Sequence, residues 1–142
     1  MKSIGILFLV LLLFGCVGTV QTYPGAPQAL NKISVVKGIN QEFAGNTYRT
    51  YFTSYAFLTS GVKPELNRVG DSFVGYPNEL HMAPGNYLIQ TRCSVGSQYA
   101  FPAIELEAFE GISYEISCQP VSDELSKVKA FVRNAVKTEP LK

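Results

Sequence analysis

Residues 103–118 read Ala103-Ile104-Glu105-Leu106-Glu107-Ala108-Phe109-Glu110-Gly111-Ile112-Ser113-Tyr114-Glu115-Ile116-Ser117-Cys118. On one side of Glu110-Gly111, Ile104, Leu106 and Ala108 alternate with Glu105 and Glu107. On the other, Ile112, Tyr114, Ile116 and Cys118 alternate with Ser113, Glu115 and Ser117. Successive strand side chains point to opposite faces, so the pattern predicts a hairpin of two half-buried strands, its glutamates on the solvated face. Upstream, Tyr87, Ile89, Thr91 and Cys93 alternate with Leu88, Gln90, Arg92 and Ser94. A short strand around Glu79-Leu80-His81-Met82 leads into them through Ala83-Pro84-Gly85-Asn86, where Pro84 presets φ and Gly85 accepts a positive φ. Residues 48–58 (YRTYFTSYAFL) are β-branched and aromatic with no Gly or Pro. Strict alternation puts Tyr51, Thr53, Tyr55 and Phe57 on one face and Phe52 and Ala56 on the other. Residues 33–39 form a further strand, 41–47 and 94–98 are turns, and 61–78 is a long irregular stretch of the kind that often carries binding. About seven strands joined by short turns predict an all-β domain over 32–142, a small antiparallel β-sandwich or open barrel. In the C-terminal segment 122–142, Leu125, Val128, Phe131 or Val132, and Ala135 or Val136 fall at helical spacing behind a Ser122 or Asp123 cap, which predicts a C-terminal helix. The same tail also reads as a strand with Val128, Ala130 and Val132 inward.

The chain has 142 residues, 46% apolar and 16% charged, with a net charge of +1. That length suits one domain. Eleven of the first fifteen residues are apolar, and without Lys2 the remainder carries eleven basic and eleven acidic side chains. This balance argues against electrostatic binding of nucleic acid, and eight Tyr with nine Phe argue against disorder.

Residues 1–15 have a basic start and an apolar run from Ile4 to Phe14. Eleven residues reach roughly 16 Å, about half a hydrocarbon core, which fits a signal-peptide core and not a membrane span. The run ends Leu13-Phe14-Gly15-Cys16, which resembles the bacterial lipobox, with Phe14 bulkier than the usual occupant. The resemblance implies cleavage before Cys16, acylation of its sulfur and amine, and anchoring in membrane lipid. Val17 occupies the position where lipoproteins retained at the inner membrane commonly carry Asp, so the same rule implies the outer membrane, with the domain on the periplasmic face. Residues 16–31, with Gly18, Pro24, Gly25 and Pro27, read as a flexible tether.

With Cys16 lipidated, Cys93 and Cys118 remain as an even pair in an oxidising compartment, both on inward faces. They predict a disulfide, between antiparallel neighbours or facing sheets, that closes a loop stabilising the fold by roughly 3 kcal/mol. One His and no CxxC give no tetrahedral metal set, and no cofactor motif is present.

Tyr23-Pro24-Gly25 before the strand at 33–36, the segment 79–89 with its Pro-Gly turn, and Gly111-Ile112-Ser113-Tyr114-Glu115-Ile116 together carry a resemblance. They are similar to segments of Gram-negative lipoproteins of unassigned role and of transthyretin-like and PEGA-like β-sandwich modules. The resemblance covers about half of the mature chain and implies the fold more than a function. It also implies a terminal strand. Ser94–Tyr99 (SVGSQY) is similar, with its Gly displaced ahead of Ser97, to the Ser-Gly-x-x-Tyr loop of c-type lysozyme inhibitors, with Ser97 and Tyr99 as the analogous residues.

No catalytic set emerges. His81 is the sole histidine and lies out of phase with Leu80 and Met82, hence outward, and Glu105, Glu107, Glu110 and Glu115 read as solvated charges. Binding is the stronger expectation. Most of the aromatic strip 48–57 reads as core, but outward Tyr51, Tyr55, Tyr76 and Tyr99 would offer rigid contact area to a sugar or protein. The expected function is a non-enzymatic binding or accessory module of an envelope assembly with an envelope protein partner. The alternative is a periplasmic inhibitor of lysozyme or another cell-wall hydrolase. Substituting Cys16→Ala should move the protein from the membrane fraction to the soluble one; retention after washing would remove the lipid anchor.

Overall fold

The computed structural model of the chain describes residues 18–121 and 127–138. Residues 1–15, expected to be a signal peptide, and Cys16 lie outside the described residues. Eleven strands among the described residues form two sheets facing each other, which is more than the seven expected. β1 (Thr19–Gln21), β2 (Ser34–Gly38), β6 (Glu79–Met82), β10 (Ile112–Pro120) and β11 (Val128–Lys137) make the first sheet, in the order β1-β6-β2-β10-β11. In the second, β3 (Gln41–Phe43), β4 (Asn46–Phe57), β7 (Gly85–Val95) and β8 (Gln98–Ala100) lie in order, with β5 (Asn67–Arg68) on β4 and β9 (Ala103–Ala108) on β7. Most pairings are antiparallel; β1–β6 and β2–β10 are parallel.

The alternation read in the sequence sets the core. Val36, Leu80, Met82, Tyr114 and Ile116 face Phe52, Tyr87, Ile89, Leu106 and Ala108 across the sandwich. Burial of aliphatic side chains of this size stabilises by about 1.5–3 kcal/mol each. At one end Cys93 of β7 and Cys118 of β10 form a disulfide between the sheets, with Cα atoms 5.8 Å apart. Thr50 packs beside it: its hydroxyl donates to Cys118 Sγ at 3.2 Å and accepts the Cys118 N–H at 3.1 Å. Gly38 lies so near that a Cβ would stand 2.3 Å from the Thr50 carbonyl oxygen, leaving room there for glycine alone.

Three expectations change. The Glu110-Gly111 turn does not close a hairpin: β9 pairs with β7 and β10 with β2 and β11, so the turn carries the chain from one sheet to the other. Gly111 makes the crossing at φ 71°, its N–H donating to the Ile33 carbonyl at 2.8 Å. The expected C-terminal helix is replaced over Val128–Lys137 by β11, antiparallel to β10. Valines at 128, 132 and 136 are spaced by four, which is in phase with both a helical turn and strand alternation. The open edge of β10 decides between them. Ala130 packs on the core and Val128 beside the disulfide, as the strand reading has it, but Val132, expected inward with them, is 41% exposed.

Finally, the stretch expected as a tether lies on the domain from Gly18 onward. β1 pairs with β6, and Tyr23, 8% exposed, packs with Ile33 and Val35 on the outer face of the first sheet. The Tyr55 hydroxyl donates to the Thr22 carbonyl at 3.0 Å.

The disulfide closes a separation of 25 residues. Replacing both cysteines by Ser should therefore lower stability by about 3 kcal/mol, read as a lower urea midpoint at constant slope. An unchanged midpoint would mean that the Thr50 contacts and core hold the sheets without it.

Candidate functional site

β4 decides which tyrosines reach solvent. Its ladder with β7 pairs Phe52 with Thr91 and Ser54 with Gln90, so Thr53 is an extra residue, a β-bulge. Before the bulge Tyr48, Thr50 and Phe52 point inward. After it the phase is reversed, and Tyr55 and Phe57 share a face with their partners Ile89 and Tyr87. Tyr55 is accordingly half-buried, edge-on to Tyr87 with ring centroids 6.2 Å apart. Tyr51 and Tyr55, expected on one face, are on opposite faces. Tyr87 packs edge-on against Phe57 as well, and burial pushes its phenol pKa up.

Tyr51, Tyr76 and Tyr99 are brought together on the outer face of the second sheet around Arg92. Tyr51 stands opposite Arg92 in the β4–β7 ladder, and Tyr99 opposite Ser94 in the β7–β8 ladder. Tyr76 arrives from the long 61–78 stretch, placed by the next residue: the Pro77 carbonyl accepts the Phe52 N–H at 2.8 Å. The Arg92 guanidinium carbon lies 5.1 Å from the Tyr76 ring centroid and 5.0 Å from that of Tyr99. Both are cation–π distances. Tyr99 is 61% exposed and packs edge-on to Phe101 at 5.5 Å. Arg92, Arg49 and Tyr51 line a cavity of about 300 Å³ with Tyr76, Ser94 and Gly96. Among the described residues Arg49 and Arg92 have no ion pair and no hydrogen-bond acceptor.

A second hollow of about 510 Å³ adjoins the first at Tyr76 and includes Thr53, Ser54, Arg68, Gln90 and Phe101. The Thr53 and Ser54 hydroxyls each donate to Gln90 Oε1 at 3.1 Å, which fixes the amide and leaves its Nε2 as a donor. At the rim, Asp71 Oδ1 accepts the N–H groups of Phe73 at 2.8 Å and Val74 at 3.0 Å, closing a turn whose Phe73 is 96% exposed. A third hollow, of about 380 Å³, lies by the disulfide and is lined by Tyr48, Cys93, Val95 and Val128 along with the β7–β8 turn.

The alternation puts Arg92 on the outward phase of its strand without grouping it with the tyrosines. The signal was there in the alternation; the missing fact was that loop residue Tyr76 and strand residue Tyr99 close on it. His81 lies on the first sheet, out of phase with Leu80 and Met82 as expected, half-buried with Nε2 2.7 Å from Glu79 Oε1. Glu105, Glu107 and Glu110 are exposed. Among the described residues no three His, Cys, Asp or Glu side chains gather as metal ligands.

The two backbone N–H groups hold the Asp71 carboxyl below its ordinary value of 3.8, with a smaller contribution from the charge of Arg68. A lowered folded pKa means the turn is supported above the unfolded value and loses that support as pH falls through the folded one. The Phe73 and Val74 amide resonances should therefore shift together on acidification, with a midpoint below 3.8, and lose that transition in Asp71→Asn. No family model, curated protein or solved structure matches the chain, so the reading of this face rests on its own geometry.

Proposed function

We propose that the chain is a non-enzymatic binding module: a lipoprotein held at the outer membrane through acylated Cys16, with its sandwich in the periplasm. The outer face of the second sheet is its contact surface for an envelope assembly. The observation that carries this reading is Arg92, held between Tyr76 and Tyr99 on an exposed face with no carboxylate paired to it among the described residues. A stacked guanidinium has less rotamer freedom to lose on binding, and its in-plane N–H groups remain available to a partner. Tyrosine and arginine are also the side chains that most often dominate contact energy. The leader supports the anchored placement.

The alternative, an inhibitor of lysozyme or another cell-wall hydrolase, draws on the exposure of Ser97 and Tyr99 at the β7–β8 turn. A photo-cross-linking residue at position 51 or 97 distinguishes the two in intact cells. The expected result is a discrete adduct with an envelope component that Arg92→Ala abolishes. A murein hydrolase in that adduct, inhibited by the purified protein, would establish the alternative. Adducts formed from position 37 on the first sheet, with none from 51 or 97, would place the contact elsewhere and end this reading.

A further inference from the structure

We infer that the hollow beside Arg92 and its extension toward Gln90 form a subsite for an acidic saccharide, whose carboxylate pairs with Arg92 and Arg49 while its sugar rings lie along Tyr76. The inference rests on the reading of this face as the contact surface and names the chemistry it accepts.

Charge comes first. Arg49 and Arg92 line one cavity, and neither has an ion pair among the described residues. Like charges placed together on one sheet face repel, and an anion between them removes that cost. Guanidinium forks match the two oxygens of a carboxylate, and the Tyr76 and Tyr99 rings hold the Arg92 fork in place.

The walls then select what carries the carboxylate. Tyr76 borders both hollows, and the second adds the Phe101 ring, the Gln90 amide and the Arg68 guanidinium. A pyranose is apolar over the face that presents its axial C–H bonds and polar around its hydroxyl rim. It therefore wants an aromatic wall beneath it and fixed planar donors beside it. Gln90 is such a donor, since Thr53 and Ser54 occupy its Oε1 and leave Nε2 for a ligand oxygen.

An extended acidic peptide fits less well. Peptides that add to a sheet do so along an edge, through main-chain hydrogen bonds. Here the hollows lie over the face of β4 and β7, whose backbone groups pair with each other and with β8 and β9. Recognition on this face falls to side chains.

The test is isothermal titration of the full chain in detergent with three probes: tetragalacturonate, a neutral galactose tetramer and hexaglutamate. Tetragalacturonate is expected to bind, to weaken with added salt, and to lose about tenfold or more in affinity in Arg92→Gln and Arg49→Gln. Arg92→Lys should lose a similar factor, because the charge stays while the stacked fork goes. Both side chains point outward, and an unchanged Tm checks that the variants fold. The neutral tetramer should bind about tenfold more weakly than the acidic one. Equal binding of hexaglutamate would reduce the site to a basic patch and overturn the saccharide class. Tetragalacturonate binding that survives both Gln variants would put the site elsewhere. If no probe binds while the cross-linked adduct from position 51 persists, the saccharide inference fails and the contact surface stands; loss of both removes both.

Discussion

The carbonyl of Thr53 accepts the Val69 N–H at 2.9 Å, and its hydroxyl reaches the Gln90 carbonyl at 3.2 Å and side chain at 3.1 Å. The one residue by which β4 exceeds β7 is thus held by partners on both sides. A bulge shifts every following side chain to the opposite face, so this residue divides β4 into two halves of opposite phase. Tyr51 stays outside with Arg92, while Tyr55 turns in to pack on Tyr87 and reach Thr22. Were the same residues to run in strict alternation with no bulge, Tyr51 and Tyr55 would share the outer face and Ala56, now fully covered, would point inward.

The two sheets are joined most closely at the end where the bulge has not yet acted. There Thr50, in phase with Phe52, bonds Cys118 through both its donor and its acceptor capacity beside the inter-sheet disulfide, and Gly38 lets the backbones approach. The face that carries Arg92 lies directly behind this end, since Thr50 pairs with Cys93 and the next pair along the ladder is Tyr51 with Arg92. A covalently tied support behind a cluster of side chains keeps their spacing fixed, and recognition by stacked rings depends on that spacing.

Much of this was legible in the sequence. The alternation along 87–93 and 112–118 placed both cysteines inward, and they meet between facing sheets. What could not be read depends on pairing. The hairpin expected at Glu110-Gly111 and the crossover that occurs have the same local sequence, and only the partners of β9 and β10 differ. The tail carries a spacing common to helix and strand. Three residues, Thr19–Gln21, are too few to show a period, and their parallel pairing with β6 has no local signature. For the site, alternation gave Tyr51 and Arg92 their outward direction, but an unpaired residue within an unbroken aromatic run is invisible to a period-two reading. Such a reading therefore places Tyr55 with Tyr51 and has no means of bringing Tyr76 and Arg92 together.

The pairing of β1 with β6 has a consequence for geometry at a membrane surface. Only three peptide steps separate residue 16 from Thr19, a reach of about 10 Å when fully extended. A lipid on Cys16 would then act through a short leash ending on the edge of a folded sheet, and the sandwich would ride close to the bilayer with little freedom to swing. Its reach toward other envelope components would be set by the body of the domain. The face around Arg92, on the sheet opposite β1, would sample a narrow range of orientations, which raises the effective concentration of whatever lies within that range and withholds the domain from anything beyond it.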